Sequence, residues 1–316
     1  MIKHLFYFLV LILLTSSCES PKEEKMNYGE KIDHTATNSF KEIQLTHMFQ
    51  VPMPDSLFFA GERVPLKDFD VRERLERELI SNTFRHTSTI LLLKRANRWR
   101  PVLEETLNEN GVPKDFFYAA VAESDLMNRA ISPAGALGMW QFMKETGKEY
   151  GLKINDYVDE RKHPILATKA AALYYKKAKS KFGNWTMAAA SYNMGMRGLS
   201  TVAEKQNENI YYDLFLNTET SRYVFRLLAF KVILENPNAY GFKLDADDLY
   251  KPFEYIEYEV KEDIENLADF AKKHGTTYKI LRVLNPWLDD NSSYKLKLSG
   301  DEQYILFLPV DSTKPK

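Results

Sequence analysis

One stretch, Phe116 to Phe142, limits what this chain can become more than any other. It reads FFYAAVAESDLMNRAISPAGALGMWQF. Pro113 and Asp115 mark a helix start, because proline fits the first helical turn and an acid suits the positive N-terminal end. Phe116, Ala119, Ala120 and Glu123 then recur at helical spacing on one stripe. That stripe is apolar until it reaches Glu123. A carboxyl held against hydrocarbon loses hydration, so its charged form is disfavoured and its pKa should rise. A carboxylic acid still protonated near neutrality can donate a proton to a leaving oxygen. For a lone glutamate the ordinary reading, a helix-end acid reaching solvent or a basic partner, would be preferred.

The residues that follow shift the balance. Ser132-Pro133-Ala134-Gly135 is a turn, and Gly138-Met139-Trp140-Gln141-Phe142 comes next. Further on stands Ala190-Ser191-Tyr192-Asn193-Met194-Gly195. A Glu-Ser pair at a helix end, a small-residue turn into G-x-W-Q-F, then A-x-Y-N-x-G, resembles the lytic transglycosylases of the soluble-lytic-transglycosylase, lysozyme-like class. The likeness is closest to its membrane-bound members and covers about Asp68 to Pro237 of the catalytic part. It implies a mainly α fold, with a lysozyme-like helical catalytic domain at residues 111–237. It also implies that Glu123 is the catalytic acid. Ser124, Gly138, Met139, Gln141, Tyr192 and Asn193 would line the substrate, with Gln141 on the glycan near the scissile bond and Tyr192 beside Glu123. Glu219 and Tyr223, in Glu219-Thr220-Ser221-Arg222-Tyr223-Val224, match an E-T-x-x-Y-V element near the cleft. For Trp140 a core position is the expectation. An acid usual for the class is replaced by His163, which should affect a turn rather than catalysis.

The N-terminal residues read as an address. Lys3 and His4 precede an apolar run, Leu5 to Leu14, too short for a comfortable membrane span and shaped like a signal-peptide core. Residues 1–17 are read as a signal peptide. Leu14-Thr15-Ser16-Ser17-Cys18 resembles a lipoprotein box, which implies lipidation of Cys18, membrane attachment and a place in the cell envelope at the outer membrane. An uncleaved signal anchor is the alternative. Cys18 is the only cysteine, so no disulfide can form within the chain. Residues 18–41 are polar and charged, a flexible tether.

In the supporting segment, residues 42–110, prolines keep Phe40 to Leu66 extended. Val71, Leu75 and Leu79 then set an amphipathic helix whose Arg and Glu residues form a solvated face. Ser88 to Trp99 and Pro101 to Asn108 read as two further helices. Helices are also expected at Met139 to Glu149, at Pro164 to Phe182 with a packing stripe of Leu166, Ala170, Leu173 and Ala178, and at Trp185 to Tyr192. One more begins at Glu219 and closes at Asn236-Pro237.

After a linker at residues 238–252 the period changes. Ile256, Tyr258 and Val260 alternate with glutamates as a half-buried strand. Helices at Ile264 to His274 and Thr277 to Leu284 follow, then a strand at Tyr304 to Pro309. This βααβ order over residues 253–310 resembles a LysM peptidoglycan-binding module, carried by Leu267, Ala271, Gly275, Leu284, Asn285 and Pro286. Ile264-Glu265 replaces the Gly-Asp usual before its first helix, which puts glycan binding by the module in doubt.

Glycoside cleavage commonly uses two carboxylates. Asp125 lies only two residues from Glu123, on a different helix face. The resemblance accounts for the missing partner, since this class works with one glutamate. It would act on the bond between N-acetylmuramic acid and N-acetylglucosamine in peptidoglycan glycan strands. Two alternatives remain: a hydrolase drawing on Glu219 or Asp159 as second carboxylate, and a non-catalytic wall-binding lipoprotein. The net charge of −1 favours neither nucleic acid nor an anionic surface as partner. The scattered histidines and absent glycine loop give no reason to expect a metal or cofactor.

Overall fold

The computed structural model describes residues 50–289, 294–299 and 303–310. The signal segment, Cys18 and the tether lie outside these residues. No helix among the described residues is long and apolar enough to cross a membrane.

The fold is mainly helical. A small hairpin, β1 (Phe58–Phe59) and β2 (Glu62–Arg63), leads into α1 (Phe69–Thr83) and α2 (His86–Glu109). A 3₁₀ turn, Lys114–Phe116, opens α3 (Phe117–Ser124). Then come α4 (Lys144–Glu149), α5 (Pro164–Phe182), α6 (Trp185–Met194), α7 (Met196–Gln206) and α8 (Thr218–Glu235). The chain closes with β3 (Tyr255–Val260), α9 (Leu267–Lys273), α10 (Tyr278–Leu284) and β4 (Tyr304–Pro309). Strands β3 and β4 pair antiparallel, Tyr255 opposite Pro309 and Val260 opposite Tyr304. The expected strand–helix–helix–strand order is therefore present, although Ile256 points outward.

Several expectations need correction. The two helices anticipated around Pro101 are one 24-residue helix, α2. Leu92, Leu93 and Ala96 before the proline and Leu103 and Leu107 after it are buried in the same core. That shared burial outweighs a missing ladder bond and ring clash worth about 3 kcal/mol. Glu78 of α1 is not solvated: it is buried and meets the Arg222 guanidinium of α8 at 2.7 Å. The stripe of α5 runs through Ala167, Ala171, Tyr175 and Ala178, while Leu173 faces out. Helix α7 had no counterpart in the sequence reading. The helix expected from Met139 starts only at Lys144.

His163 shows how this chain replaces an acid. Its Nδ1 accepts from the backbone N–H groups of Ile165 and Leu166 at 3.2 and 3.3 Å, capping α5 as a carboxylate would. Burial pushes its pKa down to about 3, so the ring stays neutral and keeps an acceptor. The same ring packs on Trp287 and Phe307 of the C-terminal module. Asp159 N–H donates to Trp287 O, and Asp289 N–H to Tyr157 O, both at 2.7 Å. Residues 238–252 run along α2, where Asn97 and Arg98 donate to the carbonyls of Tyr250 and Lys251. The module is joined by backbone bonds and buried rings, so it is one body with the catalytic part.

Candidate active site

Helix α3 carries Glu123 at its end and runs antiparallel to α8. Near its start Asp115 meets Lys231 at 2.7 Å, and near its end the Tyr223 hydroxyl donates to Glu123 Oε1 at 2.8 Å. Asp115 also accepts from Ala60 N–H at 2.7 Å, so it anchors the hairpin as well as serving the helix start. Phe116, Phe117, Ala119, Ala120 and Val121 are fully buried. The helix ends at Asp125, which takes a left-handed φ of 50°. The apolar stripe read from the sequence thus delivers its acid, half-buried, to the edge of the core.

The Glu123 carboxyl is raised from 4.5 to about 7. Loss of hydration is the main cause; the Tyr223 hydroxyl and the Arg226 charge pull it back, and the Glu219 charge pushes it up. Glu219 is exposed in the first turn of α8 and accepts from Asn193 Nδ2 at 2.9 Å. Asn193 Oδ1 in turn accepts from the Thr220 hydroxyl at 2.7 Å. These bonds tie the end of α6 to the start of α8. Glu123, Tyr223, Glu219 and Asn193 are therefore neighbours in the fold.

Other residues are placed differently. Tyr192, expected beside Glu123 to bond or shield it, lies within reach of the Glu123 charge, while its hydroxyl donates to Trp140 O at 2.8 Å. Its ring stacks on Tyr175 at 4.9 Å. Tyr223 makes the direct bond instead, because α8 lies alongside α3. Ser124 turns inward, donating to Ala120 O and Met139 O at 3.1 and 3.0 Å, which fastens the 138–142 turn to α3. Met139 and Trp140 are buried, and Trp140 Nε1 donates to the Thr168 hydroxyl at 2.8 Å. Gln141 has a φ of 48° and its Nε2 donates to Ala130 O and Gly138 O. It braces the 128–137 loop from within. Gly138 faces the Arg161 backbone so closely that a Cβ would stand 1.9 Å from its carbonyl oxygen.

Three residues were not anticipated. Arg161 pairs with Asp159 at 2.7 Å and donates to Gly135 O and Phe142 O, holding both ends of the loop. Asp159 is thereby occupied, which removes it as a second carboxylate for a hydrolase. The Tyr175 hydroxyl is buried without a hydrogen-bond partner among the described residues, and the Glu123 charge helps push its pKa far above 10. Arg226 lies one turn beyond Tyr223, and its buried Nε has no hydrogen-bond partner among the described residues. For Arg226 a signal was visible: i, i+3 spacing on α8 marks it as a neighbour of Tyr223.

Two family models match parts of the chain. Residues 101–215 match the Transglycosylase SLT domain, and residues 256–312 match the Soluble lytic transglycosylase C-terminal LysM-like domain. The chain is homologous to membrane-bound lytic murein transglycosylase D of Escherichia coli K12, at 27% identity over 263 residues. That alignment covers 81% of this chain and 56% of the relative, so the chain spans about half the length of that protein. Peptidoglycan transglycosylase gp16 of Escherichia phage T7 is 38% identical over 97 residues, 30% of this chain and 7% of that one. Among solved structures, an inactive mutant of lytic transglycosylase Slt from Pseudomonas aeruginosa aligns with 24% identity and a TM-score of 0.37, over 48% of this chain and 26% of the other.

Proposed function

We propose that this chain is a peptidoglycan lytic transglycosylase that cleaves the β-1,4 bond between N-acetylmuramic acid and N-acetylglucosamine without water. The observation that carries the reading is the Glu123 carboxyl, raised to about 7 at the edge of an apolar core and held by Tyr223. Protonated Glu123 donates to the glycosidic oxygen as the C1–O bond breaks. The resulting carboxylate takes the proton of the muramic C6 hydroxyl, whose oxygen bonds to C1. One group thus gives and recovers a proton, and the product carries a 1,6-anhydro end. Internal attack is favoured over water when the sugar is held in place. In this reading Gln141, Asn193 and Glu219 face the glycan. Ser124, Gly138, Met139 and Tyr192 act through the shape of the cleft wall.

A second reading, a hydrolase, has one observation in its favour: the charge of Glu219 reaches Glu123. Digestion of purified peptidoglycan separates the two by mass. Anhydro ends, lighter by one water, support the transglycosylase; reducing ends support the hydrolase and end the first proposal.

Cys18 is proposed as the lipid anchor to the outer membrane, on the strength of the residues before it. Cys18→Ala is expected to move the protein from the membrane fraction to the soluble one.

The proton donor must start protonated, so the rate falls as pH rises through the Glu123 pKa near 7. Arg226 lowers that pKa. Arg226→Met is therefore expected to move the alkaline limb of the pH–rate profile upward, with little change in its height. Tyr223→Phe removes a hydrogen bond to the charged form. It should also move the limb upward, and lower the plateau about tenfold through lost positioning. An unmoved limb in both variants would count against Glu123 as the titrating acid.

A further inference from the structure

A second concave site lies between the catalytic part and the C-terminal module. It is a cavity of about 720 Å³. Its cations are Arg95, Arg98, Arg129, Lys279 and Arg282, and among the described residues no carboxylate lines it. The whole chain holds 43 basic and 44 acidic residues, so a wall of one sign departs from the average surface. Where Arg95 and Arg98 are bonded, their partners are neutral backbone carbonyls. Arg95 donates to Asp125 O and Arg98 to Lys251 O. Arg282 donates to the Tyr278 hydroxyl and Leu288 O. Arg95, Arg98 and Lys279 form no ion pair among the described residues.

Aromatic rings hold this charge in place. The Arg98 guanidinium lies 4.2 Å from the Phe253 ring centroid and 5.1 Å from that of Tyr250. Trp99 packs edge-on against Phe253. These ring contacts restrain the guanidinium, and among the described residues only its Nε is hydrogen-bonded, which leaves its outer edge for a forked contact with a carboxylate. Burial disfavours the charge of Arg98, and an incoming anion offsets that cost.

The groove is close to the reaction centre. Met127 and Asn128 on its wall follow Glu123 by four and five residues. Four residues span at most about 14 Å, and a four-residue peptide reaches about as far.

We propose that this groove binds the carboxylates of the short peptides carried by the glycan. The inference rests on the reading of the chain as an enzyme of peptidoglycan. It gives the joint between the two parts a function: the module completes a site that neither part holds alone.

The test uses the full chain with Glu123→Gln, so that binding is read without cleavage. The probes are peptide-bearing glycan fragments and the same fragments with their peptide carboxylates converted to amides. The free carboxylates are expected to tighten binding about tenfold at low salt, and less as salt screens the charges. Lys279→Glu, at an exposed position, and Arg98→Gln should each reduce that preference and leave the amidated fragments unaffected. Equal binding of the two probes, or a preference that survives both substitutions, overturns the proposal. The parent chain is assayed in parallel. If it releases no product yet the preference holds, the cleavage reading fails and the groove stands; product without preference is the reverse.

Discussion

Glu123→Gln is expected to lower the rate of glycan cleavage by about 10³–10⁴-fold, since one side chain supplies both the acid and the base. The same substitution should stabilise the fold, and only at high pH. In the unfolded chain the carboxyl ionises at its ordinary 4.5; in the folded chain it ionises at about 7. Below 4.5 it is protonated in both states and costs nothing. As pH rises from 4.5 through 7 the unfolded state gains from ionisation that the folded state resists, so stability falls and then levels off. Glutamine carries no such cost. The variant should match the parent at pH 4 and exceed it by about 1–3 kcal/mol at pH 8, read from urea midpoints. A gain of equal size at both values would assign the effect to packing and not to charge.

Gly138→Ala is expected to be the most damaging small substitution. The new Cβ would stand 1.9 Å from Arg161 O and 2.8 Å from Arg161 C, both backbone atoms that cannot swing aside. The φ of 84° adds strain for any L residue. Together these cost about 3–5 kcal/mol. Gly135 supplies the control. Its φ is 85°, yet nothing lies within 4 Å of its Cβ position. Gly135→Ala should therefore lose only about 1 kcal/mol. Similar losses at the two sites would show that backbone conformation, not the approach of Arg161, makes Gly138 necessary. Because Gln141 Nε2 donates to Gly138 O, cleavage should fall with stability in the first variant only.

The sequence exposed what depends on period and on local chemistry. The stripe Phe116, Ala119, Ala120, Glu123 needed only helical spacing to show an acid among apolar neighbours. Helix α5 was legible to the residue because Pro164 opens it and Gly183, with a φ of 80°, ends it. Strand β4 was a short apolar run closed by proline. What stayed hidden depends on contacts between distant segments. Residues 139–142 read as the start of a helix because Met139, Trp140 and Phe142 are apolar. In the fold their backbone closes a loop braced by Ser124, Gln141 and Arg161, a role set by residues as far as 19 positions away. Which tyrosine bonds Glu123 was likewise undecidable from spacing, since Tyr192 and Tyr223 both reach the centre from other helices. Glu78 was read as solvated for the same reason: its partner Arg222 lies 144 residues on.

The proton on Glu123 is the point on which the account turns. Carbon-13 labelling of glutamate, with Glu123 assigned by its loss in Glu123→Gln, allows its carboxyl carbon to be titrated directly. The expected midpoint is about 7, moving upward in Tyr223→Phe. A midpoint near 4.5, unmoved by that substitution, would mean the side chain is ionised and hydrated at neutral pH and has no proton to give.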